Sequence, residues 1–305
     1  MRALLTDVAP LRFSADYRRL WFGLSVSQLG QQMTAVALAI QVYAITRSSF
    51  AVGVVGICAF VPLVVFGLYG GAIADSMDRR RLALVASTGL WLLSIVLAAQ
   101  ALLGLRSVLL LYVVAGLQAA CYAVNNPARA AIIPRLLPPD MLPAANALST
   151  ASFNLGFTVG PLVGGVVIGW LGLGAAYLVD CATFTAALYA LWRLPPIPPL
   201  GEVRRAGLAS VLEGLRYLRT RPNVLMTFLV DLCAMVLAQP RALFPAVAGG
   251  FYGGGTRTVG LLAASPAIGS LVAVIFSGRL GRVRRQGWRS WSASSSTERP
   301  LPRSA

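Results

Sequence analysis

Two acidic side chains, Asp180 and Asp231, stand inside long apolar stretches of a chain that has 10 acids in 305 residues. Apolar surroundings penalise the charged form of a carboxyl group, which lets it take up and release a proton near neutral pH. Reversible protonation inside a membrane is therefore the chemistry these two positions offer. Arg241, near the outer end of the stretch that holds Asp231, is a potential partner for either acid. A buried acid held by an arginine or an amide for structural reasons fits the sequence equally well. Gln28 and Gln32 lie one helical turn apart and share a face of another apolar stretch. Amides in such a stretch turn toward protein or a water-filled cavity, so hydrogen bonding between helices and contact with a bound molecule both suit them.

Other chemistries are excluded by composition. There is no histidine. Cys58, Cys121, Cys181 and Cys233 stand singly in apolar runs, with no metal-ligand spacing, and read as small packing residues. No nucleophile, acid pair or metal set is assembled anywhere, so we expect no catalytic site, no metal and no cofactor.

A different pattern closes the run Ala51–Ala74. It reads Gly70-Gly71-Ala72-Ile73-Ala74-Asp75-Ser76-Met77-Asp78-Arg79-Arg80-Arg81. An apolar helix ends in an acid, three arginines follow, and a second apolar run begins at Leu82. The glycines permit close packing on a neighbouring helix. Asp75 is placed to accept hydrogen bonds from a helix N-terminus or to pair with an arginine. A third pattern, Gly156-Phe157-Thr158-Val159-Gly160-Pro161-Leu162-Val163-Gly164-Gly165, puts Gly156, Gly160, Gly164 and Gly165 on one helix face, with Pro161 removing one backbone donor. Helices pack backbone to backbone on such a face.

The elements that carry these residues are set by hydropathy. The sequence is 57% hydrophobic and 12% charged, where a soluble domain has about 25% charged residues. We expect an all-α polytopic membrane protein with eight spans, near Leu20–Ile45, Phe50–Ala74, Leu82–Leu103, Val108–Val124, Ala144–Trp170, Gly174–Trp192, Asn223–Phe244 and Thr258–Ser277. Trp21 reads as an interfacial anchor, and 129–142, with its prolines, as an irregular loop or short surface helix. No cleavable signal is evident, so the first run reads as a retained span.

The net charge of +16 is all arginine and falls between the apolar runs. That distribution is membrane topology, not a nucleic-acid face. The N-terminal lead and the segments after the second, fourth and sixth spans hold most of the arginines, while Arg47, Arg106 and Arg257 lie opposite. A cytoplasmic N-terminus follows from that bias.

The pattern from Gly71 through Asp75 to Arg79 resembles the loop signature between helices 2 and 3 of the major facilitator superfamily. Asp78 stands where many members have glycine, as in the siderophore-exporter branch. Pro127-Ala128-Arg129, Pro134-Arg135-Leu136 and Pro143-Ala144-Ala145-Asn146-Ala147-Leu148 resemble that branch and the macrolide-efflux proteins. Gly156 to Gly165 resembles the superfamily's antiporter signature, associated with exporters. The resemblance implies two six-helix halves that rock around a midplane site, with the loop motif (Gly71, Asp75, Asp78, Arg79, Arg80, Arg81) acting as a gate. It implies a membrane efflux permease in the cell membrane, moving a small molecule such as a drug or siderophore, with protons as the coupling partner. Division follows as a six-helix half over 1–193, a cytoplasmic loop over 194–221, two helices of the second half over 222–285 and a polar tail over 286–305. A complete member would continue with more helices, so the chain reads as truncated after the eighth, and a non-transporting membrane fragment is the alternative to the permease.

Overall fold

Apolar runs of this length satisfy their backbone groups in hydrocarbon only by coiling into helices. The computed structural model describes residues 8–198, 220, 225–226 and 243–277, and within these the backbone alone at 68–76, 266–268 and 270–277. The described elements are α1 (Ala9–Phe13), α2 (Ala15–Thr46), α3 (Ser49–Ser76), α4 (Arg79–Leu102), α5 (Val108–Leu136), α6 (Leu142–Leu171), α7 (Leu173–Trp192), α8 (Phe244–Gly250) and α9 (Thr256–Ser277), with a single 3-10 turn at Pro139–Met141. Contacts gather Met1–Ser265 into one unit and Pro266–Ala305 into a second, of which only the end of α9 is described.

The helix ends have local causes. Ser14 caps α2 by accepting the Tyr17 N–H at 3.2 Å. Arg47 ends it in a left-handed conformation, φ 53°, its N–H returning to the Tyr43 carbonyl at 2.8 Å. Ser107 caps α5 through the Leu110 N–H at 3.3 Å. Gly172, at φ 85°, makes the turn from α6 into α7, a backbone conformation that suits glycine.

Among the described residues, five helices are long and apolar enough to cross a membrane: Ser49–Gly67 of α3, then α4, α5, the 3-10 turn with α6, and α7. The first expected span coincides with α2, at 32 residues the longest of the described helices. Its glutamines and serines make it the more polar one, and it occupies the centre of the bundle. The packing runs as a chain of neighbours: α3 on α5, α5 on α4, α4 on α7, α7 on α2, and α2 on α6. α3 is the outermost in this order. Phe50, Ile57, Phe60, Val61 and Val65 are all exposed on it, the apolar surface that a lipid-facing helix presents.

The core has two ends. At one, Ala37, Val42, Leu97, Leu111 and Tyr177 pack together. At the other, Leu20, Leu82, Ala128, Ile132, Leu191 and Ile197 do. This second cluster corrects an expectation. The fourth span does not end near Val124, and the first part of 129–142 is neither an irregular loop nor a separate surface helix: α5 continues to Leu136 through Pro127 and Pro134. A proline removes one backbone donor and costs stability, but Ala128 and Ile132, one turn apart, are fully buried in the cluster with Leu20 of α2 and Leu82 of α4 and hold the helix together.

Candidate functional site

Asp180 lies in α7 and is 1% exposed. Its Oδ2 accepts two hydroxyls, from Thr34 of α2 at 2.8 Å and from Ser94 of α4 at 2.7 Å. Oδ1 is buried without a hydrogen-bond partner. Gly30 makes this approach of α2 to α7 feasible: a Cβ there would stand 2.6 Å from Asp180 Oδ1. One turn earlier on α7, the Tyr177 hydroxyl donates to Gln41 Oε1 at 2.7 Å. Asp180 is thus a polar joint among three helices, sealed from the cavities described next. Asp231 and Arg241 lie outside the described residues.

The larger cavity, about 270 Å³, opens between α2, α5 and α6. Gln28 lines it together with Asn125, Asn126, Arg129, Asn146 and Ser149. Tyr17, Trp21, Tyr122 and Phe153 give it aromatic walls. Arg129 is held from below by Ser87, whose Oγ accepts its Nη2 at 3.0 Å and also accepts Asn125 Nδ2 at 3.2 Å. Trp21 therefore faces the interior of the bundle, where the sequence suggested an interfacial anchor. Gln32 belongs to a second, smaller cavity of about 50 Å³, with Val36, Pro161, Phe244 and Val259. The two glutamines share a helix face as their spacing predicts, but they serve different cavities.

The arginine motif is built into the end of the bundle. Met77 and Asp78 alone separate α3 from α4, so Arg79, Arg80 and Arg81 form the first turn of α4 and not a loop. Three cations at a helix N-terminus oppose the helix dipole. Asp78 offsets them as N-cap, accepting the Arg81 N–H at 3.0 Å. Its other oxygen accepts the Ile197 N–H at 3.0 Å, and the Arg79 N–H returns to the Ile197 carbonyl at 3.1 Å. Arg80 donates to the carbonyls of Leu191 at 3.2 Å and Trp192 at 2.5 Å, neutralising the C-terminal end of α7. Arg79 Nη1 reaches the Ala131 carbonyl of α5 at 3.4 Å. Arg81 is exposed. These described partners of Asp78, Arg79 and Arg80 all belong to the first six long helices and the segment just after them. Gly71 and the Asp75 side chain lie outside the described residues; only the backbone of α3 is drawn there.

The glycine face of α6 is a contact surface on two sides. A Cβ at Gly156 would stand 2.8 Å from Gln28 Cγ, at Gly160 2.5 Å from Gln32 Cβ, and at Gly164 3.2 Å from Met33 Cα. Gly165 turns the other way: its Cβ would meet the Thr256 carbonyl at 2.9 Å and Gly260 Cα at 3.0 Å on α9. Opposite it, a Cβ on Gly260 would stand 2.6 Å from the Pro161 carbonyl. The small residues let α6 lie against both α2 and α9.

Arg129 and its asparagines are the site residues that sequence reading passed over. The signal was there: Asn125, Asn126 and Arg129 share a face once 125–136 is read as helix. Ser94 and Thr34 had none, because a lone hydroxyl in a span is common and its partner lies far away in sequence.

Comparison with known proteins places these features. A family described as transmembrane secretion effector matches residues 5–287. The enterobactin exporter EntS of Shigella boydii serotype 18 is 27% identical over 287 residues, covering 93% of this chain and 68% of that protein. EntS of Escherichia coli O139:H28 is 26% identical, with the same coverage. A crystal structure of a POT family transporter with a thioalcohol-conjugated peptide shares 16% identity at a TM-score of 0.49, covering 76% of this chain and 51% of that one, a likeness too slight to argue from. The chain thus spans about two thirds of the length of those exporters, 68%, and is a multi-pass membrane protein by its apolar helices. With the family's pattern matched from residue 5 to residue 287, the chain belongs to the transmembrane secretion effector family of the major facilitator superfamily.

Proposed function

We propose that the chain is an efflux permease that carries a small molecule, such as a siderophore or drug, out of the cell by alternating access, with protons moving inward. The observation that carries this reading is the polar cavity between α2, α5 and α6, about 270 Å³, in a helical bundle of an exporter family. Relatives named as enterobactin exporters support the direction of transport. A cavity of this kind is near the lower end of small-molecule pockets, roughly 300–1,000 Å³. In this reading the chain sits in the cell membrane with its N-terminus in the cytoplasm, because Arg79, Arg80, Arg81 and Arg135 lie at one end of the bundle and Arg47 and Arg106 at the other.

The motif at Asp78–Arg81 would tie the cytoplasmic ends of α4, α5 and α7 together as one body, so that the half moves as a unit. Asp180 is the proton-carrier candidate among the described residues: it is buried and one of its oxygens is unpartnered. A membrane potential supplies about 2.3 kcal/mol per proton per 100 mV, a driving force for roughly fifty-fold accumulation.

The test is efflux from cells and from reconstituted vesicles with an imposed pH gradient, using this chain alone. Gradient-dependent loss of a substrate, abolished by Asp180→Asn or Asp231→Asn, would establish the reading. A folded chain that binds but moves nothing would favour the alternative, a non-transporting membrane protein.

A further inference from the structure

One corner of the bundle gathers cations that the protein leaves unmatched. The start of α4 and the end of α7 meet there: Arg80 donates to the carbonyls of Leu191 and Trp192, the residues just before Arg193. Arg81 and Arg193 are exposed beside it. Asp78 is the described acid at this corner, and its two oxygens already accept the backbone N–H groups of Arg81 and Ile197. Among the described residues the single ion pair is Arg19–Asp16, so none of these three arginines is paired with a carboxylate there. The Arg193 guanidinium instead lies over two rings of its own helix, 5.4 Å from the centre of Tyr189 and 5.6 Å from that of Trp192. Such contacts orient a cation without neutralising it.

The helix faces that lead away from this corner are apolar. Tyr189 and Trp192, one turn apart, are more than half exposed, and Leu178 and Ala182 continue the exposed face of α7. On α4, Val85, Leu92 and Ile95 are exposed on the same face as Arg81. The two helices lie against each other, with the Trp91 indole donating to the Cys181 carbonyl at 3.2 Å. Tyrosine and tryptophan favour the depth of the lipid headgroups, where an apolar ring body meets water at its polar edge. Arginines left without an acid at that depth, at the end of exposed apolar helix faces, meet the phosphates of lipid.

We propose that this corner holds one anionic phospholipid, its phosphate between Arg81 and Arg193 and its acyl chains along α4 and α7. A guanidinium offers paired N–H groups that match phosphate oxygens, and the stacking of Arg193 on two rings holds its fork in place. Arg80, whose donors are spent on helix carbonyls, adds charge to the site. A soluble phosphate would find the same cations but would leave the rings and the apolar faces uncovered. The leaflet follows the orientation proposed above; the binding depends neither on that orientation nor on transport.

Native mass spectrometry of the chain released from detergent micelles counts bound lipid directly. Dioctanoyl phosphatidylglycerol and dioctanoyl phosphatidylcholine, which share their acyl chains, are the probes. The first phosphatidylglycerol should bind about tenfold tighter than phosphatidylcholine, the value of a charge-assisted contact, and tighter than any later one. Arg81→Gln combined with Arg193→Gln should remove most of that preference, and Trp192→Ala should weaken phosphatidylglycerol binding. Arg12→Gln, which removes another exposed arginine, should leave it unchanged. Equal affinities for the two lipids in the unsubstituted chain would overturn the proposal without reference to any variant. A loss for Arg12→Gln as large as that for the Arg81 and Arg193 pair would also overturn it, reducing the site to the general attraction of a basic surface. Displacement of phosphatidylglycerol by an equal concentration of glycerol 1-phosphate would assign the corner to a soluble anion and overturn it as well.

Discussion

Gly160 of α6 lies so close to Gln32 of α2 that a methyl group on the glycine would stand 2.5 Å from Gln32 Cβ. No side-chain rotation relieves that distance, because a Cβ is fixed to its own backbone. The glycine is therefore a condition of the α2–α6 contact, and Gly156 and Gly164, a turn to either side, extend it along the helix.

Replacing Gly160 should force the two helices apart. We expect Gly160→Ala to cost about 1–3 kcal/mol and Gly160→Leu more, by overpacking. A leucine-to-alanine change at the exposed Leu155 should be nearly silent. Folded yield after detergent extraction and thermal unfolding measure both. Equal yields for Gly160→Leu and Leu155→Ala would show that the face is not a contact.

Asp180 should be needed for stability through two hydroxyls. Thr34 and Ser94 are both buried, and Asp180→Ala would leave each without its acceptor. At about 1–3 kcal/mol for each of the two stranded hydroxyls, the alanine variant should lose roughly 2–6 kcal/mol. Asp180→Asn keeps an acceptor oxygen and should lose clearly less. Unfolding in detergent separates the two variants, and an alanine variant as stable as the asparagine would sink the joint described for α2, α4 and α7.

Asp78 should hold the end of the bundle. It caps α4 and also binds the Ile197 N–H, so Asp78→Ala removes both contacts. The cap is worth about 1 kcal/mol, and the released segment 194–198 should become a protease site. Asp78→Asn keeps one acceptor oxygen, so it can still cap α4 but cannot also accept the Ile197 N–H, and its cleavage rate should fall between those of Asp78→Ala and the unsubstituted chain. Cleavage rates that do not differ between the three chains would separate this loop from the segment after α7.

Side-specific labelling tests orientation. Cysteines placed at Arg47 and Arg106 should react with an impermeant reagent added outside intact cells, and one at the exposed Arg81 should react only after lysis. The four wild-type cysteines, Cys58, Cys121, Cys181 and Cys233, would be replaced first. External labelling at Arg81 would invert the topology proposed here.

Much of this protein was legible in its sequence for a simple physical reason. Hydrocarbon forces backbone groups to pair within a segment, so an apolar run is a helix whatever its neighbours do, and α3, α4, α6 and α7 begin and end close to where hydropathy and glycine place them. The glycines of α6 were equally readable, since absence of a side chain is visible in sequence and has one main use in a packed helix. What only the tertiary structure decided is which polar groups meet. The sequence shows Asp180 as an acid in a span; the fold alone brings Thr34, 146 positions away, and Ser94, 86 away, to the same oxygen. Sequence periodicity pairs Gln28 with Gln32, yet neighbouring helices send them to different cavities. Prolines argued for an irregular loop or short surface helix over 129–142, and the burial of Ala128 and Ile132 in the cluster with Leu20 of α2 and Leu82 of α4 keeps α5 continuous and carries Arg129 into the cavity. Periodicity fixes what lies along one helix; contacts between helices depend on rotation and depth, which no single segment encodes.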